Sequence, residues 1–155
     1  MKKSLKAMSM TPLDLQTRRA VYDEAIERGK IPYAAQLAGL LSAGEDEVRA
    51  SLRRLASAHM LVLQDDGEVL MANPFSAVPT PFVVTARGKS WYGNCIWDGM
   101  GIAAMVDSDA VIDASCGCCG TAMQLHVPAQ CRDEDERVAH FAIPAARWWD
   151  DIVFN

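Results

Sequence analysis

Apolar residues recur through the first sixty positions at the three- and four-residue spacing of helices. Thr11-Pro12-Leu13-Asp14 has the make-up of a helix start: a hydroxyl at the N-cap, proline at the first helical position and an acid at the third. This helix is expected to run to about Arg28, where Gly29 suits the position just past the end and Pro32 bars continuation. Ala34, Leu37, Ala38 and Leu41 mark a second, short amphipathic helix that Gly44 breaks. Val48, Leu52, Leu55 and His59 define one face of a third, with Arg49, Arg53 and Arg54 off that face. The period then changes. Leu61-Val62-Leu63 and Val69-Leu70-Met71 flank Asp65-Asp66-Gly67, which reads as a β-hairpin with an Asp-Gly turn.

Three helices and a hairpin in this order predict a winged-helix-like module over residues 1–75, with residues 1–10 as a loose tail. Such a module can place its third helix in the major groove of DNA. It can also serve only as a structural or dimerising element, and Glu45-Asp46-Glu47 favours that reading by putting negative charge where the bases would approach. Asn73-Pro74-Phe75 through Pro79-Thr80-Pro81 is a proline-rich connector and the best boundary in the chain. Beyond it, residues 76–155 read as a second domain. Strands are expected at Phe82-Val83-Val84, at Trp91-Tyr92, over 110–114, over 122–127 and over 138–143, with a turn at Arg87-Gly88-Lys89. A helix is expected over 96–105, a short helical turn over 144–149, and the start of another strand at Asp151-Ile152-Val153-Phe154. The fold class is therefore α+β, with a mixed or antiparallel C-terminal sheet and short helices.

Charge is unevenly divided. Residues 1–60 carry ten Lys/Arg and seven Asp/Glu, while residues 61–155 carry five and thirteen, within a formal net charge of -5. The acidic part is a poor partner for nucleic acid or an anionic membrane surface. No apolar run approaches the roughly 20 residues that span a bilayer, and no long apolar segment follows the basic start, so a cytoplasmic protein is expected. There the five cysteines should be thiols or metal ligands rather than structural disulfides.

The chemistry concentrates at Ser90-Trp91-Tyr92-Gly93-Asn94-Cys95-Ile96-Trp97-Asp98. If Cys95 opens a helix, Asp98 stands one turn on, on the same face. A helix N-terminus lowers a thiol's pKa, which predicts a reactive Cys95. On spacing alone the plainer reading ranks first: a buried core cysteine with Asp98 on the surface. Cys116-Gly117-Cys118-Cys119-Gly120 lies between two expected strands, and Cys116 and Cys119 have the spacing of half a zinc site. His126, His140 and Cys131 are the only candidates to complete it, so a structural zinc is a weak expectation and a soft thiolate-seeking ion a broader one. The alternative is a tight turn with incidental cysteines. No Walker loop, dinucleotide fingerprint or Ser-His-Asp order is present. Trp91, Trp97 and Met100 offer an apolar wall beside Cys95, or are plain core.

Taken together, Phe82-Val83-Val84, the Trp91–Asp98 segment, the Ser115–Gly120 loop and the run from His140 through Trp148-Trp149-Asp150-Asp151-Ile152 to Phe154 resemble the organomercurial (alkylmercury) lyase family. The likeness is strongest over residues 82–154. It implies protonolysis of a carbon–mercury bond, with a small organomercurial as substrate, no resident cofactor, and Hg(II) as the bound product. In the family two cysteines take the mercury and an aspartate handles the proton. Cys95 matches the first cysteine, Asp98 the aspartate, and Cys116 a further cysteine regarded as structural. The resemblance sets the second catalytic cysteine after Asp151–Phe154, where this sequence ends at Asn155. A truncated member is therefore expected, with Cys118 or Cys119 as candidates for the missing thiol. Rival readings are a thiol-rich metal-binding protein without turnover and a winged-helix metal-responsive regulator. A homodimer is left open.

Overall fold

A computed structural model describes residues 10–129, 138–141 and 143–153. Helix α1 (Pro12–Arg28) starts as its sequence predicts. Asp14 N–H donates to Thr11 Oγ1, and Asp14 Oδ2 accepts from Thr11 N–H, so two otherwise orphaned donors are satisfied reciprocally. It ends on Gly29 at φ 73°, a left-handed conformation suited to glycine. Helices α2 (Ala34–Leu41) and α3 (Glu45–Ser57) follow, and Gly44 acts as the N-cap of α3 rather than as the end of α2. His59 does not extend the buried face of α3. The helix stops at Ser57, His59 turns out at φ 58°, and its ring stacks on Trp149 at a centroid distance of 4.3 Å.

Val21, Leu37, Val48, Leu52, Leu55, Leu61 and Val69 form the core of this N-terminal part. Beside it lies a buried ion pair. Asp14 is fully enclosed and accepts from Ser51 Oγ at 2.7 Å and from Arg54 Nη2 at 2.7 Å. Arg49 bridges Glu45 and Glu68 at 2.9 Å each. Glu68 also accepts from Ala34 N–H at the start of α2. Two of the three arginines of α3 are thus engaged in tying helices and hairpin together.

Seven strands make one antiparallel sheet in the order β1-β2-β3-β5-β4-β6-β7: β1 (Val62–Leu63), β2 (Val69–Ala72), β3 (Phe75–Ser76), β4 (Phe82–Ala86), β5 (Lys89–Gly93), β6 (Ala110–Ser115) and β7 (Ala122–Val127). The proline-rich connector contains β3, which pairs with β2 on one side and β5 on the other. The sheet therefore runs unbroken from the N-terminal hairpin into the C-terminal strands. β4 and β5 join through Arg87 and Gly88, both at positive φ, the tight turn that matches strand twist.

Val84, Trp91 and Ile112 lie on one face of the sheet, and helix α4 (Ile96–Val106) covers them with Ile102 and Val106. The opposite face carries Thr85, Ser90, Asp113 and Gln124 toward solvent. The run 138–143 carries no strand among its described residues, and Asp151-Ile152-Val153 is bend and turn rather than strand. Between them a 3-10 helix spans Ala145–Asp150. Residues 1–9, Cys131, Ala142 and Phe154 lie outside the described residues. Among the described residues no helix is long and apolar enough to cross a membrane.

Candidate active site

The site forms where β5 hands over to α4. Two residues past the last strand position, Cys95 is the N-cap of α4 with an extended backbone at φ -148°. Asp98 is the third helical residue, so its carboxylate turns back toward the cap. Cys95 Sγ donates to Asp98 Oδ2 at 3.6 Å. Both residues are half-buried. The spacing argument for one face holds, and neither residue belongs to a sealed core or a fully solvated surface.

Glycines make the approach possible. A Cβ on Gly93 would stand 2.9 Å from Gly99 N and 3.2 Å from Cys95 O. One on Gly99 would meet Ile112 Cδ1 at 3.1 Å, and one on Gly101 would meet Pro74 Cβ at 3.3 Å. Small residues thus let the first turn of α4 lie against β5, β6 and the connector, which sets the position of the thiol.

The electrostatics differ from the expectation for a helix N-terminus. Burial pushes the Cys95 thiol up, and the neighbouring Asp98 charge pushes the same way. The N–H groups of Asp98 and Trp97 oppose this and do not prevail. Burial also raises Asp98, against hydrogen bonding from Asn94 and Cys95. Burial therefore works against the thiolate at Cys95, and the Asp98 carboxyl group lies within hydrogen-bond reach of its sulfur.

Three residues that the sequence reading did not single out complete the surroundings. Asn94 Nδ2 donates to Asn73 Oδ1 at 3.0 Å and faces Pro74 O at 3.4 Å. Its own Oδ1 is buried with no hydrogen-bond partner among the described residues. Tyr22 Oη donates to Asn73 O at 3.0 Å, and the Asp98 charge reaches this phenol. Asn94 adjoins Cys95 in the chain and could have been flagged for that. Tyr22 and Asn73 are separated by 51 positions and carry no local signal.

Of the expected apolar wall, only Trp97 faces outward. Trp91 is core, with its Nε1 donating to Ala25 O at 2.7 Å, and Met100 packs against the same core. Trp97 instead lines an open cleft of about 460 Å³ with His140, Phe141, Ile143 and Trp148. Trp148 Nε1 donates to Ile143 O at 2.9 Å and its ring leans on Phe141.

The Cys116–Gly120 turn joins β6 to β7. Cys116 is half-buried, and Cys118 and Cys119 are exposed, all as free thiols. Hydrogen bonding from Thr121, with the Cys116 thiol also beside it, lowers the Cys119 thiol. His126 points from the open face of β7. Among the described residues no three of His, Cys, Asp or Glu are gathered as a metal cluster would require. Cys95 is thus not grouped with Cys116, Cys118 and Cys119, and the four described thiols fall into two places.

Residues 75–154 match the alkylmercury lyase family, MerB. That span covers just over half of the chain, begins at β3 and includes Cys95, Asp98 and the cysteine turn. The chain belongs to the alkylmercury lyase family. Among solved structures, the mercury-bound form of MerB2 is similar with a TM-score of 0.62 at 17% identity. The likeness covers 78% of this chain and 58% of that one. At that identity the likeness is one of fold, and the chain spans less than two thirds of the length of that protein. No curated protein sequence matches the chain.

Proposed function

We propose that this protein cleaves carbon–mercury bonds of small organomercurials by protonolysis, with Cys95 as the mercury ligand and Asp98 as the proton carrier. The observation that carries this reading is the 3.6 Å contact between Cys95 Sγ and Asp98 Oδ2 at the start of α4, inside the span that matches the family. Mercury is soft and prefers thiolate. As an organomercury cation engages Cys95, the thiol proton passes to Asp98 and a sulfur–mercury bond forms. Asp98 then returns that proton to the carbon bound to mercury. The carbon–mercury bond breaks with its electron pair going to the new C–H bond, so a hydrocarbon leaves and Hg(II) stays on Cys95.

The raised positions of both groups support a shared proton. A carboxyl pushed up by burial holds a transferred proton better than an exposed aspartate does, so it can carry that proton until the carbon takes it. The other described thiols all lie on the β6–β7 turn, so a thiol from solution is the second ligand in this scheme. The apolar cleft edged by Trp97, Phe141, Ile143 and Trp148 has a lining suited to an aryl or alkyl group, and neither Cys95 nor Asp98 is part of that lining.

The test is incubation with phenylmercury and excess thiol, with headspace measurement of benzene. Benzene formed by the wild-type chain and lost in Cys95→Ser supports the reading. Equal benzene from both, or none from the wild type, overturns it.

A further inference from the structure

We infer that the β6–β7 turn is a second site for a soft, two-coordinate cation, held linearly between Cys116 and Cys119. The turn is closed by two backbone hydrogen bonds: Cys116 N–H to Thr121 O at 2.9 Å and Gly120 N–H to Cys116 O at 2.8 Å. The second bond has the reach of one helical turn. It therefore brings positions three apart, Cys116 and Cys119, onto one side of the turn. Gly120 sustains this path at φ 70°. Thr121 Oγ1 lies 3.1 Å from Cys119 Sγ and holds that thiol in place.

The donor set selects the cation. Two thiols and a hydroxyl fall short of the four ligands a structural zinc needs, and no third His, Cys, Asp or Glu joins them among the described residues. A cation content with two thiolates, such as Hg(II), needs no more. Binding replaces the two S–H bonds with two S–Hg bonds and releases two protons, with no change in oxidation state.

The turn is separate from Cys95 and lies at the same end of the sheet's strands. Val83 of β4 pairs with Tyr92 on β5 and Asp113 on β6. Both neighbours run the same way past this row, so Cys95 and Cys116 follow the same ends of β5 and β6, with β4 between those strands. At a strand spacing of about 4.8 Å the two exits lie roughly 10 Å apart.

The experiment uses the full chain carrying Cys95→Ser, so its outcome does not depend on carbon–mercury cleavage. One equivalent of mercuric chloride is added, and each cysteine is mapped by mass after brief alkylation. The expected result is a roughly tenfold or greater slowing at Cys116 and Cys119 together, because the metal-bound sulfur is no longer nucleophilic. Cys118→Ser, added to this chain, should leave that pattern unchanged. Zinc at the same concentration should protect neither thiol. Protection confined to Cys118 or Cys131, no protection, or equal protection by zinc would each overturn the assignment.

Discussion

The backbones of Gly93 and Gly99 approach so closely that a methyl group on Gly93 would stand 2.9 Å from Gly99 N. This contact sets the angle at which α4 leaves β5, and so where Cys95 and Asp98 sit. Gly93→Ala must displace backbone rather than a flexible side chain. A loss of about 1–3 kcal/mol in stability is expected, measured by denaturant titration. Carbon–mercury cleavage should fall further than the stability loss explains, because the helix start itself shifts. An alanine variant with wild-type stability and activity would show that the approach is not needed.

Thiol reactivity should run against the simple helix-terminus rule. Cys119 is exposed and its pKa is lowered by Thr121. Cys95 is half-buried and raised by that burial. With limiting iodoacetamide near pH 7, mass mapping should find Cys119 alkylated well before Cys95. Prior labelling at Cys95 would mean that the N–H groups of α4 outweigh desolvation.

Asp98→Asn should separate chemistry from stability. It removes the proposed proton carrier, so cleavage should drop by roughly 10²–10⁴-fold while mercury still binds Cys95. The folded-state pKa of Asp98 is raised above its unfolded value, chiefly by burial. The native state therefore holds this proton more tightly, and the contribution of Asp98 to stability declines as pH rises through the folded value. At neutral pH the buried charge is a cost, so the Asn variant should be as stable as the wild type or more so. Chemical denaturation at pH 5 and pH 8 checks this, and a clear destabilisation at pH 8 would contradict it.

Asp14 should behave in the opposite way. The Arg54 guanidinium, with Ser51 and Thr11, holds its carboxyl far below the usual carboxylate range. Its stabilising contribution is present above the unfolded value of about 3.9 and is lost as pH falls through the folded one. Asp14→Asn should cost about 3 kcal/mol, the low end for breaking a buried pair, since 36% of the Arg54 side chain stays in water. The melting temperature should fall by roughly 6–12 °C. Acid sensitivity below pH 4 should also weaken, and an unchanged acid limb would assign it to other groups.

Local chemistry sufficed for the elements whose signals are contiguous. The Thr11–Asp14 cap, Gly29 at the end of α1, the apolar spacing of α2 and α3, and the Asp65-Asp66-Gly67 turn act within a few residues. Each was legible before any tertiary contact was known. The Cys95–Asp98 spacing belongs with them, because a helical turn alone brings i and i+3 together. Other features depend on distant partners. β3 is two residues in a proline-rich connector, and only β2 and β5 on its flanks make it a strand. Trp91 lies four positions from Cys95, yet strand alternation turns it into the core against Ala25 O, while Trp97 on the helix faces the cleft. Tyr22 and Asn73 meet near Asp98 only because α1 packs across the connector. The sequence by itself determined the Cys95–Asp98 pairing and the order of helices and hairpins, through short-range hydrogen bonding and periodicity. Tertiary packing decided how deeply that pair is buried. Burial sets the cost of charge, so the folded structure alone made Cys95 a raised thiol rather than a lowered one.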